Sequence, residues 1–516
     1  MTSPTLTFLG AARTVTGSKY LVTKRERRVL VDAGMFQGEK RWRLRNWEDF
    51  PVDPATITDV VLTHAHADHC GYLPALVRRG FAGPVWCSEG TLRLAEVVLR
   101  DAGYLAERDA KEAREGGWSR HDPPLPIYTT EDVEATLPLL RPVPFAEKLD
   151  LGDGIRLLLT RAGHILGSAS VTLDLDGVTV LFSGDLGRAD HPVLRPLEQP
   201  PGADHVVVES TYGDRDHPSP PNLPHEPLAD AIRRAVQRGG SVLVPAFAVD
   251  RTEVILQTLS EMRRHDRIPD VPIYLNSPMA TDVLEVYRRS HDELRPDLHI
   301  EDLAKVPGLV EVRSTEESMR LTSGARRRPS IIVSASGMVS GGRVLHHLER
   351  MLPDSRNAIV LTGYQAVGTR GRALTEGARQ LKMHGAYVPV RAEIVQDREF
   401  SVHADRGGLL SWVRGLDPAP STIYVTHGEE VAAEAFAETL RREVGCPVVV
   451  PSYEERVLLT PAGGATTTAA PAAELAAPTP SPGSLSDGRV VATDLRVRER
   501  HGDEVVLEGT ITLRLG

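Results

Sequence analysis

The ten residues Leu62 to Gly71, LTHAHADHCG, constrain this chain more than any other stretch, because they set three histidines and an aspartate within the six positions His64 to His69. The preceding TDVVLT, Thr58 to Thr63, is rich in valine and leucine and reads as a short buried strand, so the ligand-type side chains fall where a strand ends in a loop. Such loops stand at the rim of a sheet, where sites are usually built. At H-x-H-x-D-H spacing, neutral imidazole nitrogens and a carboxylate oxygen can converge on one small volume, and that donor mixture suits zinc or a similar divalent ion. One histidine alone would carry no such weight.

The pattern recurs along the chain. IRLLLTRAGH ends at His164, VTVLFSGD at Asp185 and STIYVTH at His427, while HVVVES passes through Glu209 and RRVLVDAG places Asp32 just past an apolar run. Strand ends on one rim of a sheet sandwich are neighbours in space however distant in sequence. Singly, each has a structural explanation: Asp185 after Ser-Gly could cap a turn, His164 could pack under a loop and Asp32 could hold a backbone amide. Jointly they point further, because seven ligands suffice for two ions when one carboxylate bridges them, as in two-metal hydrolases.

Composition permits an enzyme of this kind. The chain has 516 residues, 41% hydrophobic and 25% charged, with room for two domains or more. Its three cysteines, Cys70, Cys87 and Cys446, cannot build a disulfide framework or a cysteine-based zinc site, which fits a reducing cytoplasm. The amino terminus MTSPTLTFLG lacks a basic segment followed by an apolar one, and no uncharged run approaches the ~18 residues of a membrane span, so a soluble cytoplasmic protein without a membrane partner is expected. A formal net charge of −10 argues against coating the whole surface with nucleic acid but leaves room for a local basic groove.

THAHADHCG, with His164 in AGHILGSAS, Asp185 in FSGDLGR and the opening FLGAARTVTGS, resembles the metallo-β-lactamase superfamily. The further segments ESTYGDRDH, PAFAVDRTEVIL, NSPMA, ASGMVSGGRVLHHL, GTRGRAL, FSVHAD and VTHGEE narrow the resemblance to the beta-CASP nucleases, and among them to bacterial and archaeal relatives of the nuclease subunit of the pre-mRNA 3′-end cleavage complex. It runs from about residue 5 to 460. It implies an α/β fold, an αββα sandwich with an inserted parallel-sheet beta-CASP domain. It also implies a site of two Zn²⁺, with Mn²⁺ as an alternative ion. Residue by residue, His64, His66 and His164 would ligate one ion and Asp68, His69 and His427 the other, bridged by Asp185. Asp32 would orient a ligand imidazole. Glu209 and His403, the family's motif acid and motif histidine, would steer a proton, and Asp68 joins them among the residues that carry the chemistry. The chain departs from the family's usual residue at Asn276, Glu399 and Arg13, for which altered substrate contacts are expected, and Cys70 beside His69 reads as a small buried filler.

The same landmarks divide the chain. Residues 1–212 and 396–464 would form the sandwich, the second block returning to supply His403 and His427, and 213–395 the inserted domain. There the strand-like SVLVPAF, PIYLNS, SIIVSAS and NAIVLTGYQ alternate with helical stretches such as Arg251 to Arg264 and Thr281 to Arg289, which implies a parallel sheet. This domain would close over the sandwich as a lid, with the cleft between them as the active-site channel. Two of its loops, carrying Ser336 and the run Thr369, Arg370, Gly371 and Arg372, follow apolar strands and offer amides, a hydroxyl and guanidinium groups suited to phosphate oxygens. The alternative for Arg372 is an ion pair with Glu376, one helical turn on. Residues 465–487 are an alanine, proline and threonine tract that reads as a flexible linker, and 488–516 alternate around His501-Gly502-Asp503 as a β-hairpin that should dock on its own sandwich, on a second copy in a homodimer, or on RNA.

The expected activity is zinc-dependent hydrolysis of phosphodiester bonds in single-stranded RNA, endonucleolytic, in RNA processing or decay. A 5′ exoribonuclease of ribonuclease J type is the nearest alternative, although those proteins carry a longer C-terminal domain. A DNA repair nuclease of the superfamily should show an apolar residue where this chain has His427. An inactive RNA-binding scaffold would have lost ligands that all stand here.

Overall fold

The computed structural model describes residues 3–116, 124–217, 223–298, 306–323 and 328–461, apart from 364 and 367, together with the backbone of short strands between 489 and 514. It divides into two compact units, Met1–Ala469 and Ala470–Gly516.

Alternation builds the first unit's sandwich. In Ile155–Arg161 the side chains of Ile155, Leu157 and Leu159 are fully buried while Arg156 between them is exposed, the period of two that a pleated strand imposes. One seven-stranded sheet runs Arg456–Leu458, Thr5–Phe8, Tyr20–Lys24, Arg27–Val31, Asp59–Val61, Val85–Cys87, Leu140–Pro142. The second runs Val448–Val449, Thr422–Val425, His205–Val208, Thr179–Phe182, Ala169–Leu175, Ile155–Arg161, Lys148–Gly152. They share a core in which Leu6, Phe8, Val22 and Val31 meet Leu157, Val171 and Phe182, with the Tyr20 and Phe182 rings 5.7 Å apart. Helices close both outer faces. Leu73–Arg78, Glu89–Gly116 and Thr130–Thr136 lie over the first sheet, the last opened by a capping box between Thr129 and Asp132. Arg406–Arg414 and Glu430–Glu443 lie over the second. This is the αββα sandwich.

The insertion has a simple origin in the topology. His205–Val208 and Thr422–Val425 are adjacent parallel strands, paired from His205↔Thr422 to Val208↔Val425, so the chain leaves the sheet and returns beside its point of departure. Between them it builds a six-stranded sheet in the order Leu309–Glu311, Ile273–Leu275, Ile331–Ala335, Val242–Ala246, Ala358–Thr362, Glu393–Asp397, every pair parallel. The four strands read from the sequence are its centre. Its two edges, Leu309–Glu311 and Glu393–Asp397, are half-buried and carry charge, so they lack the apolar run that marks the others.

In the second unit, Arg496–His501 pairs antiparallel with Glu504–Glu508 across 502–503, and a further pair joins Arg489–Ala492 to Ile511–Arg514, where the sequence reading had one hairpin. The linker tract 465–487 lies outside the described residues. Among the described residues, no helix is long and apolar enough to cross a membrane.

Candidate metal centre

The residues of the centre stand just past the C-terminal ends of strands: Asp32 after Arg27–Val31, His64 and His66 after Asp59–Val61 with Asp68 and His69 on the one-turn helix Ala67–Cys70 that follows, His164 after Ile155–Arg161, Asp185 after Thr179–Phe182, Glu209 after His205–Val208 and His427 after Thr422–Val425. In the central part of both sheets these ends share one rim, so the topology concentrates ligands that are up to 363 positions apart, His64 to His427.

The side chains form two groups. His64 Nε2 lies 3.1 Å from His66 Nδ1, which lies 3.3 Å from His164 Nε2. His69 Nε2 lies 3.2 Å from His427 Nε2, whose other neighbour is Asp68 Oδ2 at 3.5 Å. Asp185 divides its carboxylate between them: Oδ2 is 3.6 Å from His64 Nε2 and 3.7 Å from His164 Nε2, whereas Oδ1 is 3.4 Å from His69 Nε2 and 3.2 Å from His427 Nδ1. Ligand nitrogens on a tetrahedral ion with bonds of ~2.0–2.1 Å stand about 3.3 Å apart, so the imidazole spacing fits bound zinc. Asp185 Oδ1 is moreover buried without a hydrogen bond, which a buried carboxylate oxygen avoids unless something else neutralises it.

Protonation divides the ligand set: burial opposes a charge on His69, but Asp185 and Asp32 outweigh it and hold its pKa well above the usual histidine range, so a bound ion would take the place of a proton there. Burial, reinforced by the neighbouring imidazoles, holds His64 and His164 well below the usual histidine range and brings His66 down to about 4, leaving their lone pairs free. Burial opposes ionisation of Asp185, but His427 and His69 outweigh it and hold the carboxyl well below its ordinary value. His69 is oriented from behind. Its Nδ1–H donates to Asp32 Oδ2 at 2.7 Å, while Asp32 also accepts from the Thr63 amide at 2.8 Å and the Thr63 hydroxyl at 2.9 Å, which turns His69 Nε2 toward the centre. Asp32 occupies the left-handed region, φ 63°, which aspartate tolerates better than most residues.

Beside the ligands, His403 Nδ1 stands 3.3 Å from Glu209 Oε1 and 4.0 Å from Asp185 Oδ2. Glu209 is fully buried and fixed by the Leu186 amide at 2.7 Å and the Thr211 amide at 3.2 Å. Burial lowers the affinity of His403 for a proton, but the charge and hydrogen bond of Glu209 together with the charge of Asp185 offset it, so the net shift is upward.

A cleft of about 390 Å³ opens over this cluster. His66, His164 and His403 line its sandwich wall, and Phe247, Met338 and Ala366 come from the inserted domain. Arg13 is also on the lining, its guanidinium held by Glu430 at 2.8 Å and Glu434 at 3.0 Å. The other two departures do not face the cleft, contrary to the expected substrate contacts. Asn276 is buried between Arg343, Ser318 and His347, and Glu399 accepts the His225 amide at 2.9 Å. Cys70 is buried with its Sγ 3.4 Å from the Ala65 carbonyl, a filler and not a ligand.

None of Ser336, Thr369, Arg370, Gly371 and Arg372 lines the cleft, although Met338 and Ala366 from the same two loops do. Arg370 donates to the carbonyls of Lys382 and Ser340, each at 3.0 Å, so its guanidinium stitches loops together. Thr369 caps the helix Arg370–Thr375 through the Arg372 amide, Gly371 stands where a Cβ would strike Gln365, and Arg372 pairs with Glu376 at 2.6 Å. The Ser336 hydroxyl accepts the Ser340 amide at 3.2 Å.

One set of residues escapes the sequence reading. His191, Asp250 and Tyr287 are almost fully buried between the sandwich and the insertion. His191 Nδ1 accepts the Val193 and Leu194 amides, so its Nε2–H donates to Asp250 Oδ2 at 3.1 Å; Tyr287 donates to Asp250 Oδ1 at 2.9 Å and accepts the Leu166 amide at 3.2 Å. This ties the inserted domain to the loop that carries His164. Asp250 follows the strand Val242–Ala246 in PAFAVDRTEVIL, the same strand-then-acid signal that marks Asp185, whereas nothing in the sequence marks Tyr287.

A sandwich that gathers histidines and a shared carboxylate at one rim, beneath a cleft, defines a metal-dependent hydrolase. Sequence models of three families match: the metallo-beta-lactamase superfamily over residues 13–246, the Beta-Casp domain over 252–374 and the Zn-dependent metallo-hydrolase RNA specificity domain over 387–451. The chain is 39% identical to Ribonuclease TTHA0252 of Thermus thermophilus over 84% of its own length and 94% of that protein's. It is 31% identical to Transcription termination factor FttA of Methanocaldococcus jannaschii, over 85% of this chain and 69% of that one, and 30% identical to the RNase J-like protein of the same organism, over 86% and 97%. The chain belongs to the beta-CASP ribonuclease family of the metallo-β-lactamase superfamily.

Proposed function

We propose that this protein is a zinc-dependent endoribonuclease that cuts single-stranded RNA with two ions held by His64, His66, Asp68, His69, His164, Asp185 and His427. The observation that carries the reading is the Asp185 carboxylate, which turns one oxygen to each of two ligand groups. The names of the relatives, two of them ribonucleases, support RNA as the substrate. Zinc, when bound, supplies Lewis acidity toward the phosphate and lowers the pKa of water to near neutrality, and Mn²⁺ could replace it in the same oxygen- and nitrogen-rich set.

The chain's own residues supply the rest. Asp32 fixes the ring of His69 through Nδ1, so that its Nε2 is aimed at the centre. Asp68 completes the group of His69 and His427 from the exposed side and faces the cleft, where it can also accept a hydrogen bond from the attacking water. His403, held protonated by Glu209 at the edge of the cleft, donates its proton to the departing oxygen. Cleft walls from two domains hold the strand in line and limit bulk water. The rim loops, through Ser336, Thr369 and Arg372, contact phosphates farther along the strand, since an exposed arginine–glutamate pair worth ~0.3–0.5 kcal/mol yields easily to a phosphate.

Incubation of the purified protein with 5′-labelled and with internally labelled RNA tests the mode. Internal fragments of mixed length are expected; release of mononucleotides alone from the 5′ end would replace this reading with a 5′ exonuclease.

A further inference from the structure

Away from the centre, the helix Arg343–Met351 carries two adjacent histidines with opposite orientations. His347 is buried against Asn276, while His346 is exposed and shares a face with Glu349, three residues on. Above them the turn between Gln380–Met383 and Ala386–Pro389 holds His384 at φ 43°, a left-handed conformation that histidine adopts more readily than most residues, and projects its ring over the helix. The two exposed imidazoles stack at 25° with centroids 4.9 Å apart. Both aim Nδ1 at the one carboxylate: His384 Nδ1 is 2.7 Å from Glu349 Oε1, and His346 Nδ1 is 3.9 Å from Glu349 Oε2. The three donor atoms lie within 4.8 Å of one another.

We propose that His346, Glu349 and His384 form a further site for a divalent transition ion of the zinc class, separate from the catalytic centre. The separation of His346 Nδ1 from its carboxylate oxygen is too long for a hydrogen bond. The His384 bond satisfies only one oxygen of the carboxylate, and the gap beside the other is of the size an ion with bonds of ~2.0–2.1 Å spans after a small rotation of exposed side chains. Two imidazoles with a carboxylate select zinc, cobalt or nickel over magnesium or calcium. Water fills the remaining position, because the histidines are exposed. Bound there, the ion clips the hairpin Gln380–Pro389 to the helix Arg343–Met351, two elements that adjoin the rim loops of the cleft. A two-stranded hairpin has little stability of its own, and a ligand that binds only its docked form favours that form.

Equilibrium dialysis of the full-length protein against Zn²⁺ in the micromolar range, with the metal retained at the catalytic centre counted beforehand, tests the site. Wild type is expected to take up one zinc more than His346→Ala and one more than His384→Ala. Partners of a ligand are themselves worth roughly 10–100-fold in metal affinity, so loss of a direct ligand should weaken this binding by about 100-fold or more. Equal uptake by wild type and both variants overturns the proposal. Loss in only one variant overturns the three-ligand assignment. Both substitutions remove exposed side chains, and unchanged melting temperatures in chelator would show that any loss of zinc comes from the site and not from unfolding.

Discussion

The proton on His403 is set by what surrounds its ring. Burial pulls the pKa down, and Glu209, at 3.3 Å, together with Asp185 pulls it up, with a net shift upward. A general acid works only while protonated, so activity falls as pH rises through this pKa, and raising the pKa extends activity to higher pH. Glu209→Gln removes the raising charge and should move the alkaline limb of the kcat profile to lower pH; a limb that stays in place would separate Glu209 from the proton. His403→Ala should retain the wild-type metal content while slowing cleavage by roughly 10²–10⁴, the usual range for a lost general acid. If it instead loses metal as His427→Ala should, His403 is a ligand. Glu209 and His427 were legible in the sequence for one physical reason: an apolar run that stops abruptly at a histidine or carboxylate is a strand delivering that group to a rim; His403 follows the turn Arg398–Phe400, and only the resemblance carried by FSVHAD marks it. The bonds from Arg370 to the carbonyls of Lys382 and Ser340 were not legible, because backbone acceptors leave no trace in side-chain chemistry.

Between elements, the bond network of His191, Asp250 and Tyr287 joins the inserted sheet to the loop of His164. Tyr287→Phe leaves Asp250 Oδ1 and the Leu166 amide buried without that partner, which should cost about 1–3 kcal/mol in urea unfolding. A cost near zero would mean that the bonds are replaced and the domains are held by apolar packing alone. Pairings of this sort are invisible in one sequence, since each joins residues from elements whose contact is decided only by the whole topology. The helix Arg370–Thr375 carries the other test at this scale. Arg372→Ala breaks an exposed pair with Glu376 and should barely change stability. If the guanidinium turns to phosphate, it should weaken RNA binding evenly across sequences and make affinity less dependent on salt. Unchanged affinity and salt slope would leave Arg372 as a helix residue only.

Across the molecule, a single topological event makes the enzyme: the chain leaves the second sheet after Val208, builds a parallel-sheet domain, and returns at Thr422 to deliver His427 beside Asp68 and His69. The alternation of strand and helix made that insertion readable, whereas the low-apolarity edge strands Leu309–Glu311 and Glu393–Asp397 carried no comparable signal. The three free cysteines, two of them fully buried, leave cohesion to packing and to the metal ligands. Asp185 serves both ligand groups in the proposed centre, so the most direct measurement is metal content and RNA cleavage of Asp185→Ala beside wild type. Two zinc ions per chain are expected in wild type, fewer in the variant, and no detectable cleavage by the variant. Near-normal turnover in an Asp185→Ala protein that still holds the wild-type complement of metal would contradict that role of Asp185.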